Sequence, residues 1–290
     1  MINKNTLAGI FALLLFVGCS MDDSSNEDSS SIQTEQDSSS IPTVRYNEFM
    51  ACEFGDDMSS DNLTVMISEW QELLTSDELV GAWGYSPASD QNAWGEVGWW
   101  ELEWTSKEAA DAAWAEWESN EAAMAWTEKH AGVMQCDGPG RFKFDGIFPI
   151  SFETYGEKNP NGYFYSEFSG CKYNEGSSRE DAIAFVEGFN NAVEEADYSE
   201  TGYHYGNYFA HDTSTVNPEG EGADFLWANF TKSKEMNDKA YAAFEAEVRE
   251  KMFPLFSEFA SCGENPDVYH GWTLYDGDDK DFMPTFPDQE

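Results

Sequence analysis

One pair of segments constrains the fold more than any other feature. Tyr46-Asn-Glu-Phe-Met-Ala-Cys52 and Tyr165-Ser-Glu-Phe-Ser-Gly-Cys171 carry Tyr, Glu, Phe and Cys at identical spacing. Further on, Trp104-Thr-Ser-Lys-Glu and Phe230-Thr-Lys-Ser-Lys-Glu open similar stretches, in which Trp114 and Trp117 match Tyr241 and Phe244. Cys136 and Cys262 then follow the first cysteines at nearly equal distance. The chain therefore contains a duplication, with repeat one over 45–147, a linker over 148–162 and repeat two over 163–277. Whatever one half folds into, the other half must match.

Each repeat carries the same order of elements. A short aromatic strand holds the first cysteine. A helix follows, marked by Leu63, Met66, Ile67, Trp70 and Leu74 in repeat one and by Ala182, Phe185, Val186, Phe189 and Val193 in repeat two, all at helical spacing. Ser177 with Glu180 reads as a capping box before the latter. Two strands are expected next, at 79–86 and 95–104, then at 201–211 and 223–231. The second helix of repeat one is lined by Trp114, Trp117, Glu121 and Met124. That of repeat two is lined by Tyr241, Phe244, Val248 and Met252, with Pro254 expected to end or kink it. A last strand, Arg141–Ile147 or Gly271–Tyr275, completes each unit.

The order is βαββαβ, the ferredoxin-like arrangement, whose sheet order 4-1-3-2 sets strand four beside strand one. By that topology the end of strand one lies next to the start of strand four. Cys52 is thereby expected to pair with Cys136, and Cys171 with Cys262. Two such units in one chain resemble the dimeric α+β-barrel superfamily, with its usual homodimer fused into one polypeptide. The resemblance covers most of 45–277 and rests on element order and duplication. It implies an α+β fold in which two sheets face each other, helices cover the outside, and the chain is a monomer with an internal pseudo-dimer. That superfamily includes cofactor-independent monooxygenases and haem-handling proteins.

Residues 94–104, WGEVGWWELEW, hold four of the eleven tryptophans. On a strand, Trp94, Glu96, Gly98, Trp100, Leu102 and Trp104 would share one face, and Val97, Trp99, Glu101 and Glu103 the other. A sheet covered on both sides needs apolar residues on both faces, so these rings fit a core. They also fit the wall of a ligand cavity, with Trp83, Tyr85, Trp99 and Trp100 as its candidates. The other aromatic strand adds Tyr203, His204, Tyr205 and His211. The histidines are seven positions apart, so in a regular strand they face opposite ways and form no metal pair. His130 and His270 have no partner at ligand spacing.

The N-terminus addresses location. Lys4 precedes an apolar run, Leu7–Val17, too short to span a bilayer as a stable helix. It ends in Phe16-Val17-Gly18-Cys19, which resembles the lipobox of bacterial lipoproteins, with Phe16 where the family usually carries an aliphatic residue. The resemblance implies a signal peptide over 1–18, lipidation of Cys19 and anchoring to a bacterial membrane on its periplasmic or cell-surface side. The alternatives are an ordinary secretory signal cut nearby and a signal anchor. The segment 19–44 is rich in Ser, Asp and Glu, cannot bury enough apolar surface to order itself, and reads as a tether. Loss of 1–18 removes one lysine and leaves 14 basic against 56 acidic residues, a net charge of −42. That charge excludes nucleic acid and electrostatic attachment to anionic lipid, and is compatible with a cationic ligand. Besides Cys19, four cysteines remain, an even number that suits disulfides in an exported protein.

Familiar catalytic signatures are missing: GxSxG, HExxH, CxxC and a P-loop do not occur. In Asp276–Asp281, Lys280 occupies a position where a calcium loop needs oxygen, so 278–290 reads as a solvated acidic tail. No catalytic residue, metal or cofactor is assigned. The favoured reading is an exported lipoprotein that binds a small, partly apolar or aromatic ligand, or a partner protein. The alternative is a cofactor-independent monooxygenase-like enzyme, which needs a hollow interior with a polar group such as His204, His211 or Tyr205 in its wall. A purely structural role with a filled interior is the third.

Overall fold

The computed structural model describes residues 43–211 and 222–287. The expected signal peptide, Cys19 and nearly all of the 19–44 segment lie outside them. Repeat one runs β1 (Val44–Phe54), α1 (Ser60–Gln71), β2 (Leu79–Pro87), β3 (Gly98–Trp104), α2 (Lys107–Ser119), α3 (Glu121–Lys129), β4 (Met134–Cys136) and β5 (Phe142–Ile147). After a 3-10 turn at Phe152–Tyr155, repeat two runs β6 (Tyr163–Tyr173), α4 (Arg179–Glu194), β7 (His204–Ala210), β8 (Phe225–Thr231), α5 (Lys234–Ala243), a π turn (Phe244–Val248), α6 (Arg249–Phe259), β9 (Ala260–Cys262) and β10 (Asp267–Asp276).

Each half forms the expected sheet, β2-β3-β1-β5 and β7-β8-β6-β10. Strand four of each half then pairs with strand two of the other, β5 with β7 and β10 with β2. The two sheets thus close into one antiparallel ring of eight strands with the helices outside. Closure leaves no sheet edge among these strands, which is how a barrel avoids intermolecular strand pairing. The short strands β4 and β9 extend strand four along β1 and β6 and carry the second cysteines, placing Cys52 opposite Cys136 and Cys171 opposite Cys262. Both pairs are disulfide-bonded, with Cα atoms 4.0 and 3.9 Å apart.

Local chemistry explains the helix starts. Ser59, Ser106 and Ser233 accept from the backbone N–H three residues on, each satisfying one orphan donor. The capping box of α4 is Ser178 with Asp181, one position beyond the expected Ser177 and Glu180. Asn120, accepting from the N–H of Ala122 and Ala123, breaks the second helix of repeat one into α2 and α3. The break turns Met124 out to solvent. In repeat two Val248 and Met252 are buried, but Tyr241 is exposed. Pro254 does not end its helix, which runs on to Phe259. Glu250, whose carbonyl the proline cannot serve, is exposed, so water can take the place of the missing donor.

Two more expectations are revised. The strand expected at 95–104 begins only at Gly98, because 94–97 is a turn with Gly95 at φ +62. The alternation therefore fails before Gly98. Trp94 packs edge-on against Trp99 at 5.0 Å rather than sharing a face with Trp100, and Glu96 is exposed. The described part of the expected acidic tail, 278–287, is not merely solvated. Met283 and Phe286 pack on the core of repeat one, Phe286 lies 5.9 Å from Trp272, and the Thr285 N–H donates to the Asn161 carbonyl at 3.1 Å.

Candidate functional site

Strand register sorts the side chains into two environments. Directly paired antiparallel residues share a face, so Asn47, Phe49, Trp83, Tyr85, Trp99, Glu101 and Glu103 all point into the barrel. From the other half His204, Gly206, Tyr208, Ala228 and Phe230 do the same. The middle of the barrel is filled by rings: Phe49 meets Phe144, Phe168 and Tyr208 edge-on at 5.7, 6.0 and 5.3 Å.

Among these rings sits a buried carboxyl cluster that reading the sequence for motifs did not pick out as a site. Glu101 accepts from Asn47 Nδ2 at 2.8 Å, and its other oxygen meets Tyr85 Oη at 2.5 Å. Burial pushes its pKa up to about 8, outweighing the hydrogen bonds from Tyr85, Tyr208 and Asn47. Glu103 is pushed to about 7, also by burial, against the partial relief of Arg45, whose Nε lies 3.6 Å away. Asn47 Oδ1 and Ser166 Oγ are buried with no hydrogen-bond partner among the described residues. The only sequence hint was two acids on a face otherwise committed to a core.

Beyond this cluster, toward the end where β1 and β6 finish, the barrel holds a cavity of about 390 Å³. Phe49, Tyr85, Trp94, Trp99, Phe142 and Tyr269 are among the rings lining it, and no histidine is among the described lining residues. A larger cleft, about 910 Å³, lies outside the barrel, between the sheet of repeat one and its helices. Its walls carry Trp70, Trp100, Trp104, Trp114, Trp117 and Trp126, more than half of the chain's eleven tryptophans. Trp70 and Trp100 meet edge-on at 4.9 Å, and Trp117 and Trp126 at 5.7 Å.

The cleft has a polar anchor at one side. Glu48, with a fully buried side chain, accepts from Trp104 Nε1, Trp114 Nε1 and Arg141 Nε at 3.1, 2.6 and 2.6 Å. Arg141 also donates to the Gly138 carbonyl and lies 4.3 Å over the Trp114 ring. Trp100 Nε1, by contrast, is buried without a partner among the described residues. An indole N–H in such a position ordinarily finds an acceptor.

The sequence-derived candidates do not form one constellation. Tyr85 and Trp99 line the barrel cavity, Trp83 packs beside them against the same inner core, and Trp100 lines the cleft on the opposite face. Tyr203 and Tyr205 belong to the helix-side core of repeat two, where Tyr205 stacks on Trp227 at 4.9 Å. His204 faces the barrel interior away from the cavity, between Phe152 and Phe230, with Nδ1 donating to the Gly202 carbonyl. Burial lowers its pKa to about 4, so it is neutral at pH 7. His211 pairs with Asp145 at 2.9 Å on the outside. The two histidines therefore do not converge, and among the described residues no group of three or more His, Cys, Asp or Glu could hold a metal.

The topology is that of a dimeric α+β barrel closed within one chain. No family model and no curated protein matches the sequence. Solved structures with a similar arrangement include the chlorite dismutase of Candidatus Nitrospira defluvii in complex with imidazole. It has 11% identity and a TM-score of 0.46 over 79% of this chain and 92% of that one. They also include a protein of Lactobacillus acidophilus NCFM named as a candidate monooxygenase, at 10% identity and a TM-score of 0.46 over 85% and 98%.

Proposed function

We propose that this protein is a binding module for a small, partly apolar ligand, held in the tryptophan cleft of repeat one. The observation that carries the reading is a cleft of about 910 Å³ walled by six tryptophans, with a buried Glu48–Arg141 pair at one side. Ligand sites commonly measure about 300–1,000 Å³, are mostly apolar, and carry few polar groups that fix orientation. Arg141 has guanidinium donors beyond those given to Glu48 and Gly138, and these suit an acceptor or anionic group on the ligand. The enzyme alternative asked for a hollow interior with a polar group such as His204, His211 or Tyr205 in its wall, and none of these three is among the described residues lining the barrel cavity.

The test is titration with 1-anilinonaphthalene-8-sulfonate, an aromatic probe with one anionic group, followed by tryptophan quenching. Saturable one-to-one binding, weakened about tenfold or more by Trp117→Leu, is expected. Absence of saturable binding, or indifference to that substitution, would remove the cleft from consideration.

We further propose that the protein is exported and lipid-anchored through Cys19. The sequence around Cys19 and the two disulfides support this, since disulfides persist in oxidising compartments. Cys19→Ala should move the protein from the membrane fraction to the soluble one. Unchanged fractionation would defeat the anchor.

A further inference from the structure

We propose that the cavity at the end of the barrel is a second binding site, and that it takes a small organic cation of the quaternary-ammonium type. It lies on the opposite face of the sheet from the tryptophan cleft and stands or falls without it.

Three rings make a corner of this cavity. Trp94 lies at 88° to Trp99 with centroids 5.0 Å apart, and Phe142 is 5.6 Å from Trp94 and 5.8 Å from Trp99, inclined at 67° and 59°. The three planes differ, so the rings border the cavity in more than one orientation. Ring faces are the negative side of the aromatic quadrupole and attract cations, and such cages recognise ammonium groups whose hydration is weak. Tyr269 adds a further ring, its hydroxyl accepting from Trp99 Nε1 at 3.1 Å.

Charge points the same way. Asp267 lines the cavity, and its register opposite Phe168 turns it to the inward face. It accepts from the Ala93 backbone N–H at 2.6 Å, and no Lys, Arg or His of the described residues pairs with it. Lys172 is the opposing charge, but it is exposed at the rim and already has a partner. The chain's net charge of −41 adds an attractive field for cations. At about 390 Å³ the space is near the lower end of the range of ligand sites, which suits a compact head group rather than a long chain.

The experiment compares choline with 3,3-dimethylbutan-1-ol, which has the same shape without the charge, by calorimetry on the purified protein. Choline is expected to bind saturably and at least tenfold more tightly than the alcohol. Asp267→Asn keeps the rings and the acceptor for Ala93. It should weaken choline several-fold while leaving the alcohol unchanged, and Trp99→Leu should weaken choline about tenfold. Trp117→Leu, in the cleft, should leave choline unaffected. Equal binding of the two probes, no saturable heat with choline, or choline binding that survives both Asp267→Asn and Trp99→Leu would overturn the proposal.

Discussion

Replacing Glu101 by glutamine should make the fold more tolerant of alkaline pH. Glu101 is 1% exposed, and burial among Phe49, Tyr85 and Tyr208 raises its pKa from 4.5 to about 8. A group whose folded pKa is raised contributes stability below its unfolded pKa and loses it as pH climbs through the folded one. The loss therefore starts near pH 4.5 and is complete somewhat above pH 8. At about 1.4 kcal/mol per pH unit the whole change is on the order of 5 kcal/mol, of which about half falls between pH 6 and 9. Glu103, raised to about 7 and facing the same interior, adds loss in the same direction. Glutamine is close in shape to the protonated acid, can still accept from Asn47 and meet Tyr85, and does not titrate. Urea unfolding followed by tryptophan fluorescence at pH 6 and pH 9 should show the parent protein losing at least about 2 kcal/mol. Glu101→Gln should lose clearly less. Equal stability of the parent at both pH values would show that the buried acids do not carry this cost, and an equal loss in both proteins would show that Glu101 does not.

Other expectations follow from particular contacts. Cys52→Ser with Cys136→Ser should lower unfolding free energy by about 4 kcal/mol, measured by denaturant titration, because a loop of sequence separation 84 is no longer closed. Gly271→Ala should cost about 1–3 kcal/mol, read as a lower thermal midpoint, since an added methyl would meet the Phe164 ring at 2.3 Å. Ser106→Ala should cost about 1 kcal/mol in the same assay by removing the cap on the Ala109 N–H.

How much of this was legible in the sequence depends on whether periodicity or geometry decided it. The duplication exposed the element order, and the order with the sheet topology placed the cysteines, because strand four must lie beside strand one. Alternation placed Trp99 and Trp100 on opposite faces and set His204 and His211 apart. It failed at Trp94 because Gly95, at φ +62, takes the chain out of the strand before Gly98. It could not show that Asn120 splits a helix, since asparagine is as good a cap as it is a surface residue. The cleft escaped notice for a different reason. Trp70, Trp114, Trp117 and Trp126 have the spacing of ordinary core residues, and whether helices leave room beside a sheet is set by three-dimensional packing. The Glu101 cluster was hidden because the rings beside Glu101 and Glu103 already accounted for that face as core, and which polar groups meet there is set by how the second sheet closes over it.

The claim that this molecule holds a ligand is tested most directly by native mass spectrometry of the full protein purified from its source without denaturation. The account predicts a mass above that of the processed polypeptide by a few hundred daltons, released on unfolding and depleted in Trp117→Leu. A bare polypeptide mass at every solution condition, from a protein that also fails to take up the anilinonaphthalene probe, would contradict it.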